Sequence, residues 1–143
     1  MQDLLLQLRR IYILFWIISL GIGIIFIKVS FVSLDKEINV SLESISVLFT
    51  MFGIWITYKF FHRRLKMLHS LSDEKDIYAS YKKLFLFCIT LLLIIIVCDM
   101  MVYCFTHTYS ALFCAAMVWI VAIISYPSKY KVETDLHKNN KTE

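Results

Sequence analysis

Leu91-Leu92-Leu93-Ile94-Ile95-Ile96-Val97 is the stretch on which the fold turns. It lies inside a run from Leu84 to Phe105 that only Thr90 and Asp99 interrupt with clearly polar side chains. A barrel strand alternates apolar with polar residues, and this run does not. About 20 mostly apolar residues are needed to cross ~30 Å of hydrocarbon. In lipid every backbone polar group must be paired within the segment, so the run reads as a transmembrane helix. Three more runs qualify: Ile11 to about Val29, about Leu42 to Phe61, and about Tyr109 to Tyr126. The fold class expected is all-α, a four-transmembrane-helix bundle within residues 1–130, followed by a polar cytoplasmic tail over 131–143.

The composition agrees. Hydrophobic residues make up 59% of the 143 and charged residues 18%. Soluble domains sit at ~45–50% apolar, so the excess points to lipid. The formal net charge is +4, but the basic residues cluster beside apolar runs, which indicates orientation in a membrane and not nucleic-acid binding. Arg9-Arg10 ahead of an apolar run suggests a leader. The run is longer than the ~7–15 residues of a signal sequence and no A-x-A-like site follows, so it reads as an uncleaved anchor.

Thirteen of the 15 basic residues fall on one side of the expected bundle. Two precede helix one, seven lie between Lys59 and Lys83, and four follow helix four. Only Lys28 and Lys36 fall on the other side. Short loops rich in Lys and Arg stay in the cytoplasm, so both termini are expected inside. Tyr12, Trp16, Tyr58, Tyr103, Tyr109, Tyr126 and Tyr130 fall near the ends of the runs, where amphipathic rings favour the interface.

The connections are unequal. An outer loop is expected from about Ser30 to Ser41, and an outer turn as short as Thr106-His107-Thr108. The inner connection is different: Phe61 to His69 continues the pattern of helix two. Ser72 is a plausible N-cap for the next helix, with Asp73, Glu74 and Asp76 at its positive end. Ile77, Tyr81, Leu84 and Phe85 keep helical spacing, so a short cytoplasmic helical hairpin is expected between helices two and three. Ser19 and Gly23, and Ala111, Ala115 and Ala122, form small-residue faces suited to close helix packing.

Asp99 is the only acid inside an apolar run, and intramembrane ionisable residues are candidate functional groups by default. Counting from Lys83 places it ~24 Å into the ~30 Å core, near the outer edge, where it could reach water or cap a backbone. Cys104, His107 and Cys114 could meet across the outer turn, as soft metal ligands or as a Cys104–Cys114 disulfide. The bland reading of the cysteines is packing. Arg64-x4-His69 matches a short pattern of helical RNA-cleaving domains, but there is no room for the soluble bundle such chemistry needs. Arg63, Arg64, Lys66, Lys82 and Lys83 instead form a basic collar suited to anionic lipid. No cofactor, nucleophile or phosphate-loop motif is present, so no catalytic residue, cofactor or metal is assigned, and an enzyme is the less favoured class.

The layout, closing on Tyr126-Pro127-Ser128-Lys129, resembles a loosely defined group of small, functionally unassigned four-helix membrane proteins of Bacteroidetes. The resemblance implies the topology and a bacterial inner membrane, and carries no activity with it. The function expected is that of a non-enzymatic interaction or regulatory membrane protein, meeting the bilayer and either a second copy or a larger membrane partner, with no nucleic acid. The alternatives are a small oligomeric transporter or channel using Asp99, and a membrane redox or metal-binding protein using the outer Cys, His and Asp residues.

Overall fold

The computed structural model describes residues 2–29, 36–68, 70 and 73–137. Among them the only regular elements are five helices: α1 (Gln2–Lys28), α2 (Lys36–Leu68), α3 (Glu74–Thr106), α4 (Tyr109–Ile124) and α5 (Lys129–His137). Helices α1, α2 and α3 are each long and apolar enough to cross a membrane. Helix α4 reaches that standard only together with α5, from which it is bent by 76°. At 1.5 Å per residue its 16 residues rise ~24 Å, less than the hydrocarbon thickness. The fourth crossing expected over Tyr109 to Tyr126 is therefore shorter than the run of apolar letters, because the chain leaves the helix at Ser125.

Helix α3 is the spine: it packs against α1, α2 and α4, and α2 also packs against α4. Leu92, Ile95, Ile96 and Met100 line its buried side, with Ile96 and Met100 fully enclosed. Ala111, Ala115, Val118 and Ala122 form the matching face of α4. The outer turn between these two helices is as tight as expected. His107 adopts the left-handed conformation (φ 52°) and its N–H donates to Tyr103 O at 2.8 Å, ending α3.

Helix α1 starts nine residues before the expected Ile11. Leu4, Leu8, Tyr12, Phe15, Ser19 and Gly23 are all buried and fall on one stripe at helical spacing. Further along α1, Ser19 accepts a hydrogen bond from Trp119 Nε1 at 2.6 Å. A Cβ added at Gly23 would stand 3.4 Å from the same indole, so the small residues do seat a large ring. Helix α2 begins at Lys36, inside the stretch read as an outer loop, and runs on to Leu68 as expected. The N-cap of α3 is Asp73, one residue beyond the expected Ser72, which lies outside the described residues.

The Tyr-Pro-Ser-Lys stretch is a corner. The Tyr126 ring meets Tyr12 edge-on at 5.3 Å, and the Arg9 guanidinium lies 6.0 Å from its centroid. Tyr12 also donates to Ala122 O at 3.1 Å. Pro127 is fully buried and stops α4. Ser128 Oγ accepts from Lys131 N–H at 3.2 Å, an N-cap bond that starts α5. Where the sequence suggested a tail from residue 131, the chain is helical to His137, because Val132 and Leu136 recur at i, i+4 and pack on the bundle. Residues 138–143 lie outside the described set.

Candidate functional site

The inward stripe of α2 is polar and small. Ser46, Thr50, Gly53 and Thr57 follow one another at spacings of four, three and four residues, so they share one face. Thr50 and Thr57 each sit on a backbone carbonyl one turn back, Ser46 O at 2.9 Å and Gly53 O at 2.7 Å. For Thr57 that bond satisfies the hydroxyl locally, while Thr50 has a second choice of acceptor. Gly53 sets the spacing to α3: a Cβ there would fall 2.7 Å from Ile95 Cδ1. The missing side chain lets the two backbones approach closely.

That approach brings the stripe onto Asp99. Ser46 Oγ donates to Asp99 Oδ1 at 2.7 Å, and Thr50 Oγ1 lies 2.8 Å from both carboxyl oxygens. Asp99, Ser46 and Thr50 are 0%, 3% and 3% exposed. The acid therefore faces protein. It neither reaches water nor caps a helix end, as its depth near the outer edge had allowed. Cys114 of α4 is also buried and close enough to Asp99 to feel its charge. Three helices thus meet around one buried carboxyl group.

The other expected members do not join. Cys104 turns toward α1 and donates to Phe26 O at 3.2 Å, with Val29 O at 3.7 Å. His107 is exposed, with its ring against Tyr103. The sulfurs of Cys104 and Cys114 thus face different helices, and all four cysteines are free thiols. Among the described residues no group of three or more His, Cys, Asp or Glu is arranged to hold a metal ion.

The basic collar divides as well. Arg64 and Lys83 line one open groove between α2 and α3, about 500 Å³ in volume. Helix α2 gives it Phe60, Arg64, Met67 and Leu68, and α3 gives it Ser80, Lys83, Leu84 and Phe87. Both sets repeat at three to four residues, so the groove is the seam between two helix faces. The Phe60 and Phe87 rings touch at 5.1 Å, and the Arg64 guanidinium lies 5.4 Å from Phe60. Arg63, Lys66 and Lys82 do not line it.

On the far side of α3, Tyr81 is buried and donates to Asp135 Oδ2 of α5 at 3.1 Å. Burial, and then the neighbouring Asp135 carboxylate, push the Tyr81 hydroxyl far above its usual range. Ser46, Thr50 and, as a polar partner, Tyr81 do not stand out as candidates in the sequence. The first two carried a signal in the spacing of small and hydroxyl residues through an apolar helix. Tyr81 carried only its helical register. In comparisons with known proteins no family model matches the chain, and neither a curated protein nor a solved structure matches it significantly.

Proposed function

We propose that the chain crosses a bacterial inner membrane four times with both termini in the cytoplasm. The bent α4–α5 pair makes the last crossing, and the protein serves as a non-enzymatic interaction or regulatory component of that membrane. The orientation rests on the thirteen-to-two division of basic residues. It also places the α2–α3 groove at the cytoplasmic face of the membrane. The outward face of α2, where Leu48, Met51, Phe52 and Trp55 are exposed, is left for lipid, a second copy or a larger membrane partner.

The observation that carries the interaction reading is the enclosure of Asp99. A carboxyl group that loads and unloads ions must meet water at some stage. Here both oxygens lie within hydrogen-bonding distance of hydroxyls of α2, and the residue has no exposed surface. In this reading the carboxyl is a pin between helices.

A small oligomeric transporter is the second reading, favoured by the same fact that an acid lies inside a span. Proton flux into proteoliposomes separates them. Wild-type protein and Asp99→Asn are expected to give the same flux as empty vesicles, and to show the same cross-linking between copies or to partners through α2. A flux that wild type supports and the Asn variant abolishes would overturn the interaction reading. Reporter fusions at residue 143 test the orientation; activity confined to the non-cytoplasmic side would refute it.

A further inference from the structure

The α2–α3 groove sets two cations on facing walls above an aromatic pair. Its floor is the Phe60–Phe87 ring pair, with Leu84 beside it. One helical turn further along each helix stand Arg64 and Lys83, one on each wall. No acidic side chain lines the groove, and among the described residues the one ion pair is Lys129–Glu133, on α5. The two cations therefore face an apolar slot with their charges uncompensated by a carboxylate. In the topology proposed above, the rings sit at the end of the hydrocarbon layer and the cations at the level of lipid phosphates.

We infer that this groove holds one anionic phospholipid of the cytoplasmic leaflet, its phosphate between Arg64 and Lys83 and the start of an acyl chain on the Phe60–Phe87 pair. Charge complementarity selects an anion, since a zwitterionic headgroup brings a cation into a slot already holding two. The apolar floor selects an amphiphile over a free anion. A volume of about 500 Å³ lies in the range of small-molecule sites, which suits a headgroup and the first part of a chain. Arg64 is held in place for this: its guanidinium rests against Phe60, so less side-chain freedom is lost on binding.

The inference rests on the membrane topology proposed above, and its test scores the two separately. Full-length protein is extracted in mild detergent and its retained lipids are counted by native mass spectrometry. Its melting temperature is measured with added phosphatidylglycerol, phosphatidylcholine or sodium phosphate. One phosphatidylglycerol per chain is expected to persist, and it alone is expected to raise the melting temperature. Arg64→Gln with Lys83→Gln should weaken that retention about thirtyfold. Arg63→Gln with Lys66→Gln removes as much charge outside the groove and should change it little.

Equal loss in both double variants would reduce the effect to general surface charge and overturn the groove. Equal stabilisation by phosphatidylcholine would do the same, and stabilisation by sodium phosphate alone would assign the slot to a soluble anion. A second measurement guards against misfolding. Phe87→Trp leaves both cations in place, and the fluorescence it adds over the native Trp16, Trp55 and Trp119 should be quenched by brominated phosphatidylglycerol more than by brominated phosphatidylcholine; equal quenching of that added signal counts against the inference. Resistance of the membrane-bound protein to carbonate extraction scores insertion by itself, so failure of the groove and failure of the topology give different results.

Discussion

Helices α2 and α3 are both 33 residues long and pack side by side, yet they contribute opposite things to the bundle. Helix α3 contributes bulk: Leu92, Ile95, Ile96 and Met100 fill the centre. The middle of α2 contributes nearness: Ser46, Thr50, Gly53 and Thr57 face inward, while Met51, Phe52, Trp55 and Ile56 point away. In the membrane setting proposed above there is no hydrophobic drive between helices, so association depends on close packing and on hydrogen bonds. A helix can then be apolar on its outside and still be held by its few polar groups. The usual rule that large apolar residues mark the buried face holds for α3 and reverses over the middle of α2.

The contrast can be broken most directly by paired truncations. Ile96→Ala on α3 empties an enclosed site and should cost about 2 kcal/mol, as a cavity in a packed core does. Ile56→Ala on α2 removes an outward side chain and should cost less than about 0.5 kcal/mol. Unfolding in mixed micelles reads both, and equal costs would end the distinction.

Next in size is the contact that sets nearness. Gly53→Ala should cost about 1–2 kcal/mol by pressing on Ile95. Combining it with Ile95→Val removes the Cδ1 that the new methyl would strike. The pair should then be more stable than the two single costs predict; simple additivity would mean that Gly53 is not setting the distance.

The polar pin comes third. Asp99→Leu should lower stability by about 1 kcal/mol, within the range measured for hydrogen bonds between membrane helices. Asp99→Asn should lose less, because an amide can still accept from Ser46 and donate to Thr50. Equal losses in the two variants would mean that the hydroxyls do not hold α2 in place.

The smallest effect, at neutral pH, concerns the inner end of α3. The buried Tyr81 keeps its proton in the folded state to higher pH than in the unfolded state. Its contribution is fully present below about pH 10, the ordinary tyrosine value, and is lost as pH rises beyond it. Tyr81→Phe should therefore flatten the alkaline fall in stability relative to wild type. An unchanged slope would show that Tyr81 ionises freely.

Much of this architecture is legible in the letters. The run around Leu91 to Val97 is the central helix, and Ser19 with Gly23 does mark a close-packed face. The stripe that begins at Leu4 was legible too, but Arg9 and Arg10 interrupt a reading based on continuous apolar length. They lie on exposed positions while Leu8 and Tyr12 are buried. The surroundings of Asp99 were not legible, because its partners lie about fifty residues upstream and only the seating of α2 joins them. Closeness in sequence also misled. Cys104 and Cys114 flank a two-residue turn, but helix rotation sends one toward α1 and the other toward the Asp99 group.

The shortness of α4 has a consequence for whatever meets this protein at its α2–α3 hairpin end. Helices α3 and α4 start level at the turn around His107, but α3 is 17 residues longer, a difference of ~25 Å in rise. That end is therefore a step and not a flat rim. The α2–α3 hairpin forms the tall side, and α5, turning away at 76°, makes a ledge against its foot. A flat surface can touch the tall side or the ledge but not both, so a binder engaging the two together must itself be L-shaped.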